Sequence, residues 1–388
     1  MKVKCISIKD EKNNGRFLYL QEYHTFVHSE EPQTRIIEEL EIDLDVSTLI
    51  QPEKLREIYE DIEKKELSKY PALGFCIITN DCNMECSFCY ANKNSECSKS
   101  EFDVDWIRTL KTKMPKESFR EVTISGGEPL LFKDKVKEIK EEFDSVIIYT
   151  NGSLIDVEFA RWCVDTRTRL YIALDYSIDG FDGHSAEEVR KNVSNLCEEV
   201  IGLKDLIEIA ITYPSGKIGE LSELRDSQNL GFEDGLEHDY NFVEDESISS
   251  DDDFIREIES IKTGKVQFQS SIFKKSFRYI QEAIDHVFNV TSCSPSINLN
   301  FLGDLGLCQV RMSNTSRSDY HKDVISNVYE FSPEKYYERI FTTKFRGLCD
   351  RGCPAKWLCG NVCWANIELN KHKCEITKKS IFYLIYIL

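Results

Sequence analysis

Residues 73–89 read Leu73-Gly-Phe-Cys-Ile-Ile78-Thr-Asn-Asp-Cys82-Asn-Met-Glu-Cys86-Ser-Phe-Cys89. A short apolar run that gives way to polar residues is the pattern of a buried strand ending in a loop. Three thiols, Cys82, Cys86 and Cys89, follow within that loop. In a parallel α/β domain the loop beyond the C-terminal edge of a strand is where active sites sit. Three thiolates on one loop converge on one metal cluster. A cluster with four protein ligands is closed, whereas three leave one metal position open to a small molecule. The alternative is a zinc site completed by a distant fourth ligand such as a histidine, although this spacing is not a usual zinc pattern.

Downstream, the chain repeats strand-like and helix-like segments. Apolar runs at 73–78, 121–125, 145–149, 171–175, 207–212 and 239–243 are rich in Ile, Val and Tyr. Helical patterns lie between them at 104–114, 133–143, 157–163, 186–203 and 218–230. Their spacing suits βαβ units, which take about 30 residues or more. The expected class is α/β, a partial (β/α)6, TIM-like barrel over 71–245. A small N-terminal α+β segment precedes it at 1–70, with strand-like runs at 3–8 and 16–27 and a helix opened by Pro52 and running over 54–69. Residues 246–290 read as an acidic linker with bridging helices, beginning near the polar run 244–253, and 291–388 as a cysteine-rich C-terminal domain. No internal repeat is visible.

The chain has 388 residues, with 49 Lys+Arg against 68 Asp+Glu, a net charge of −19. So acidic a chain is a poor nucleic-acid binder, because phosphate contact relies on an excess of Lys and Arg. The first residues carry charge where a signal peptide has its apolar core. The apolar end at 381–388 is far short of the ~17–25 residues that span a bilayer. The reading is a cytoplasmic chain without membrane or nucleic-acid partners, whose 15 cysteines stay reduced and point to metal or catalysis. Ten fall in two groups: the three above, and Cys293, Cys308, Cys349, Cys353, Cys359, Cys363 and Cys374. Cys5, Cys76, Cys97, Cys163 and Cys197 are isolated and read as plain thiols.

The Cys-x3-Cys-x2-Cys stretch, with Phe88 before the third cysteine and Tyr90 after it, resembles the radical S-adenosylmethionine (SAM) enzymes. The resemblance implies that Cys82, Cys86 and Cys89 hold a 4Fe–4S cluster whose open iron is chelated by SAM. Ser125-Gly126-Gly127-Glu128-Pro129 ends the second strand and matches the family's Gly-Gly-Glu-Pro motif. In it two glycines allow close backbone approach to a ligand, Glu128 accepts from an ammonium, and Pro129 fixes the turn. Thr150-Asn151-Gly152 matches a tripeptide frequent after the third strand, and the resemblance implies that Thr150 and Asn151 contact the cofactor, with a plain turn as the competing reading. By the same resemblance Ser177 and Arg190 hold the cofactor carboxylate, one residue off the commonest spacing, and Tyr90 joins the cofactor contacts.

The C-terminal cysteines are compatible with a zinc ribbon over 349–374. The whole series also resembles the SPASM extension of radical SAM enzymes, which implies two auxiliary 4Fe–4S clusters and three in all. Cys293, Cys308 and Cys363 would hold the first, and Cys349, Cys353, Cys359 and Cys374 the second. Gly303-Asp304 between the runs 297–302 and 307–310 suggests a hairpin that brings Cys293 and Cys308 together.

SPASM enzymes mostly modify peptides or proteins. The resemblance therefore implies a peptide maturase making a thioether or carbon–carbon crosslink in a ribosomally made precursor, with or without a leader, and a flavodoxin- or ferredoxin-type electron donor. Residues 1–70 would be either a reduced leader-binding module or a cap on the barrel. The rivals are a sulfatase-maturase-like or small-molecule radical enzyme and, more remotely, a non-enzymatic zinc or iron–sulfur interaction protein. No catalytic acid or base is singled out by spacing.

Overall fold

The computed structural model describes residues 2–10, 14–23, 25–35, 37–47, 49, 51–54, 57, 71–84, 86, 89, 102–175, 186–214, 237–243 and 296–344. Four N-terminal strands, β1 (Lys2–Asp10), β2 (Gly15–Leu20), β3 (Thr25–Ser29) and β4 (Ile37–Asp43), form an antiparallel sheet in the order β3-β2-β1-β4. The expected single run over 16–27 is broken by the 3-10 turn Gln21–Tyr23, so its two halves pair with each other as β2 and β3. Strand β4 was not expected, because Ile37-Glu-Glu-Leu-Glu-Ile-Asp43 reads as a charged segment. Its alternation makes it an edge strand, and edge strands carry charge readily. Of the expected helix, 52–54 and 57 are helical and the remainder lies outside the described residues.

Alternation buries this sheet on both faces. Ile6, Ile8 and Tyr19 join the main apolar core, while Val3, Cys5, Leu18 and Leu20 form a second cluster with Tyr23 and Val46.

Among the described residues the main sheet has nine strands in the order β10-β9-β8-β7-β6-β5-β11-β12-β13. Its body is β5 (Ala72–Ile77), β6 (Glu121–Ser125), β7 (Ser145–Thr150), β8 (Arg169–Asp175), β9 (Ile207–Pro214) and β10 (Glu237–Val243). Each pairs in parallel with the next, in sequence order. All six coincide with expected runs to within two residues, save for small extensions at their ends. Helices α1 (Asp105–Lys111), α2 (Lys133–Lys140), α3 (Val157–Thr166) and α4 (Ala186–Glu199) alternate with them. The expected helix at 218–230 lies outside the described residues.

The strands bury one face completely: Val122, Ile124, Val146, Ile148, Leu170 and Ile172 are at most 1% exposed. Each such side chain contributes about 1.5–3 kcal/mol through burial. They pack on Ile107, Leu110, Val136, Ile139, Phe159 and Cys163 of the helices. The opposite face carries Phe75, Tyr149 and Tyr171, whose rings meet edge-on at 5.8 Å and stacked at 4.4 Å.

Further along the chain, β11 (Ser296–Asn300) returns to pair in parallel with β5, followed by β12 (Asp304–Gly306) and β13 (Val324–Asn327) in antiparallel order. The start of the C-terminal segment is thus continuous with the main sheet. The expected hairpin turns at Gly303-Asp304 as read, but its second arm is 304–306. Residues 309–313 form α5 (Gln309–Ser313), whose Met312 packs on Ile77 and Phe301. Helix α6 (Pro333–Lys344) follows. No helix among the described residues is long and apolar enough to cross a membrane.

Candidate active site

The cysteine loop leaves β5 and is held against the loop after β6 by backbone pairing that outlasts both strands. Ile78 N–H donates to Ser125 O at 2.9 Å, Gly127 N–H to Thr79 O at 2.8 Å, and Glu128 N–H to Asp81 O at 2.8 Å. The two glycines make this possible. A Cβ at Gly126 would lie 2.4 Å from Thr79 O, and one at Gly127 would lie 2.1 Å from Asp81 O. Sequence reasoning assigned their close approach to a ligand; in the structure the approaching group is the backbone of the cysteine loop.

Glu128 caps the 3-10 turn Pro129–Phe132, accepting from Leu130 N–H at 2.9 Å, with Pro129 in the first position that its missing N–H suits. The same carboxylate accepts from Thr150 Oγ1 at 2.7 Å and Asn151 N–H at 2.7 Å, tying the β6 loop to the β7 loop. It is 0% exposed. Burial pushes its acid strength down, raising the pKa above the ordinary 4.5, against the lowering effect of the Asn151, Leu130 and Thr150 hydrogen bonds. A carboxylate has about four acceptor positions; Oε1 takes two of these donors and Oε2 one, which leaves Oε2 able to accept from one ammonium.

Three consecutive strand-to-helix loops therefore meet at one point. The β5 loop brings Cys82, Cys86 and Cys89, all of intermediate exposure, with Cys89 N–H donating to Cys86 O at 3.1 Å. The β6 loop brings Gly126, Gly127, Glu128 and Pro129, and the β7 loop brings Thr150 and Asn151. Asn83 and Ser153 also join here, with Asn83 Nδ2 donating to Ser153 Oγ at 2.8 Å. Sequence reasoning passed them over, because lone loop Asn and Ser residues carry no pattern. Arg190 lies half-buried on α4. Tyr90, Ser177, Cys293, Cys349, Cys353, Cys359, Cys363 and Cys374 lie outside the described residues. Cys308 precedes α5, and the neighbouring Gln309 Nε2 donates to Ser125 Oγ at 3.4 Å, so that cysteine stands on the side of the site.

The donor set fits an iron–sulfur cluster. The motif thiols are partly exposed on one loop, whereas Cys5, Cys76 and Cys163 are buried among apolar side chains. Burial raises the pKa of all three, that of Cys163 to about 12, which leaves them inert. Among the described residues no three His, Cys, Asp or Glu side chains stand close enough to hold a single metal ion. Thiolates on one zinc each lie about 2.3 Å from it, while a cluster interposes its own irons and sulfides and takes ligands set farther apart.

A sequence profile described as the Radical SAM superfamily matches residues 76–211. The chain is 27% identical over 157 residues to the sporulation killing factor maturation protein SkfB of Bacillus subtilis, covering 38% of this chain and 37% of SkfB. It is 31% identical over 139 residues to a probable GTP 3',8-cyclase of Methanocaldococcus jannaschii, covering 35% of this chain and 45% of that protein. The matches thus span less than half the length of these curated relatives. The fold is similar to that of anSMEcpe with bound AdoMet, at a TM-score of 0.60 and 14% identity, over 81% of this chain and 93% of the other. With the cysteine loop, the Gly-Gly-Glu-Pro loop and the six ordered parallel strands, residues 76–211 have the features of the Radical SAM superfamily profile that they match.

Proposed function

We propose that this chain is a radical SAM peptide maturase that forms a thioether or carbon–carbon crosslink in a ribosomally made precursor. The observation that carries the reading is the meeting of the cysteine loop with the Gly-Gly-Glu-Pro and Thr-Asn-Gly loops at the C-terminal edge of the parallel sheet. The similarity to a protein named for maturing a killing factor supports the peptide substrate.

When bound, the cluster and SAM supply a 5′-deoxyadenosyl radical that removes a hydrogen atom from an unactivated carbon. The chain's own part is positional. Cys82, Cys86 and Cys89 would hold the 4Fe–4S cluster through their thiolates. The remaining Oε2 acceptor of Glu128 would take the cofactor ammonium, and Ser177, Arg190 and Tyr90 would complete the cofactor contacts. The half-buried face with Phe75, Tyr149 and Tyr171 supplies an apolar wall that excludes water from the reacting carbon.

In this reading the strands close as a partial (β/α)6 barrel, and the segment from 291 carries two auxiliary 4Fe–4S clusters on Cys293, Cys308 and Cys363 and on Cys349, Cys353, Cys359 and Cys374. The 1–70 sheet caps the barrel or binds a leader, a flavodoxin- or ferredoxin-type protein donates electrons, and the enzyme works in the cytoplasm.

The test is anaerobic reconstitution followed by iron analysis and assay of 5′-deoxyadenosine. About twelve irons per chain with SAM cleavage is expected. A colourless protein, or a brown one that leaves SAM intact, would overturn the reading. A second reading, a small-molecule substrate, is favoured by the similarity to a GTP cyclase. A short peptide encoded beside the gene and mass-shifted by the enzyme decides against it.

A further inference from the structure

We infer that Asn151 serves the cluster as a positioning residue, latching the cysteine loop and donating to the Cys82 sulfur. This replaces contact with the nucleotide, and it rests on the radical SAM reading above. A primary amide has two N–H donors and two acceptor lone pairs, and the protein itself uses all four at Asn151. Its Oδ1 accepts from Ser153 N–H at 3.0 Å and from Ser153 Oγ at 2.7 Å. Its Nδ2 donates to Asn83 Oδ1 at 2.9 Å and lies 4.0 Å from Cys82 Sγ, the outer limit of an N–H···S bond. The backbone N–H of Ser153 can only donate, so Oδ1 must face it. That orientation turns Nδ2 toward the sulfur. The backbone N–H of Asn151 is taken by Glu128 Oε2. No polar group of the residue's side chain is left over for a bound nucleotide.

The contacts close into a ring. Asn83 Nδ2 donates to Ser153 Oγ, Ser153 Oγ donates to Asn151 Oδ1, and Asn151 Nδ2 donates back to Asn83 Oδ1. Each side chain gives one bond and receives one, a head-to-tail arrangement in which neighbouring bonds polarise one another. Asn83 is covalently next to Cys82, so the ring fixes the first ligand of the motif against the β7 loop. Cys82 Sγ also accepts from Met84 N–H at 3.4 Å. Two N–H groups thus converge on this sulfur. Hydrogen bonds to cluster sulfurs draw off negative charge and raise the reduction potential. The latch therefore makes the open cluster easier to reduce as well as holding it in place.

The test compares the full-length wild type with Asn151→Ala, Asn151→Asp and Ser153→Ala, each as metal-free and as reconstituted protein. In the metal-free chains, hydrogen exchange over residues 81–86 is expected to quicken at least tenfold in Asn151→Ala and less in Ser153→Ala. In the reconstituted proteins, redox titration follows the EPR signal that changes on adding SAM. That signal is expected at a more negative potential in Asn151→Ala and Asn151→Asp, both of which lose the donor. It should stay near the wild-type value in Ser153→Ala, which keeps it. SAM affinity is expected to stay within twofold throughout. Unchanged potentials and exchange rates would overturn the inference. So would a tenfold loss of SAM affinity at an unchanged potential, which makes Asn151 a nucleotide ligand. If the wild type takes up no iron, the radical SAM reading fails by itself, and the exchange measurement still decides the latch.

Discussion

Replacing Gly127 by Ala separates the cysteine loop from the rest of the site with a single methyl group. The added Cβ would sit 2.1 Å from Asp81 O, 2.6 Å from Asp81 C and 2.8 Å from Asn80 O, all backbone atoms, and must reach at least 3.0 Å. A flexible side chain could swing aside, but a backbone carbonyl moves only with its loop. Overpacking of this kind costs about 1–3 kcal/mol. The retreat also breaks the bonds from Gly127 N–H to Thr79 O and from Glu128 N–H to Asp81 O, about 1 kcal/mol each. The total, about 3–5 kcal/mol, is within the 5–15 kcal/mol by which domains are stable. The variant should therefore fold with its cysteine loop displaced. Urea denaturation of the metal-free chain measures the loss, and iron analysis after anaerobic reconstitution measures the site, expected to fall from about twelve to about eight irons. Gly202→Ala is the control. Its φ of +89° makes alanine cost about 1–2 kcal/mol, yet its Cβ meets only Val164 Cγ1 at 3.6 Å, so iron should be unchanged. A Gly127→Ala protein within 1 kcal/mol of wild type and fully loaded with iron would refute the reasoning.

The remaining expectations follow from the same site. Replacing Cys82, Cys86 and Cys89 together by Ala should abolish SAM cleavage and leave about eight irons; persistent cleavage would place the reaction elsewhere. Glu128→Gln puts an NH2 group among three donors and should cost about 1–3 kcal/mol in urea denaturation. It should also remove a pH dependence. Since burial holds the Glu128 pKa above 4.5 in the folded chain, its contribution is fully present below pH 4.5 and declines as pH rises through the folded value. The difference between wild type and variant should shrink over that range, and a flat difference refutes the burial argument. In the metal-free folded chain, iodoacetamide at pH 8 should label Cys82, Cys86 and Cys89 and spare Cys163. With a pKa of about 12, only about one Cys163 in ten thousand is thiolate at that pH. Peptide mass mapping reads the result directly.

The six parallel strands were legible because each is a local property: a strand buried on its helix-covered face shows as a run such as Val122-Thr-Ile124 or Val146-Ile-Ile148 wherever it pairs. What pairs with what is not local. Nothing in Ile297-Asn-Leu299 says that it will lie beside β5, more than 200 residues earlier, or that Gln309 will reach Ser125. Strand β4 escaped for the opposite reason, since glutamates on an exposed edge resemble a solvated loop. The site divides the same way. Thiols declare themselves by type and spacing, and Gly126-Gly127-Glu128-Pro129 by its rarity. However, the motif shows only that backbone comes close and that a carboxylate accepts, without saying from whom. In the structure both partners belong to the chain itself: the glycines admit the cysteine loop, and Glu128 binds the β7 loop. The motif residues therefore act on the cofactor first through one another. A substitution at any one of the three loops should loosen the other two, and their effects on iron retention should be non-additive in double mutants, as expected of groups that share partners.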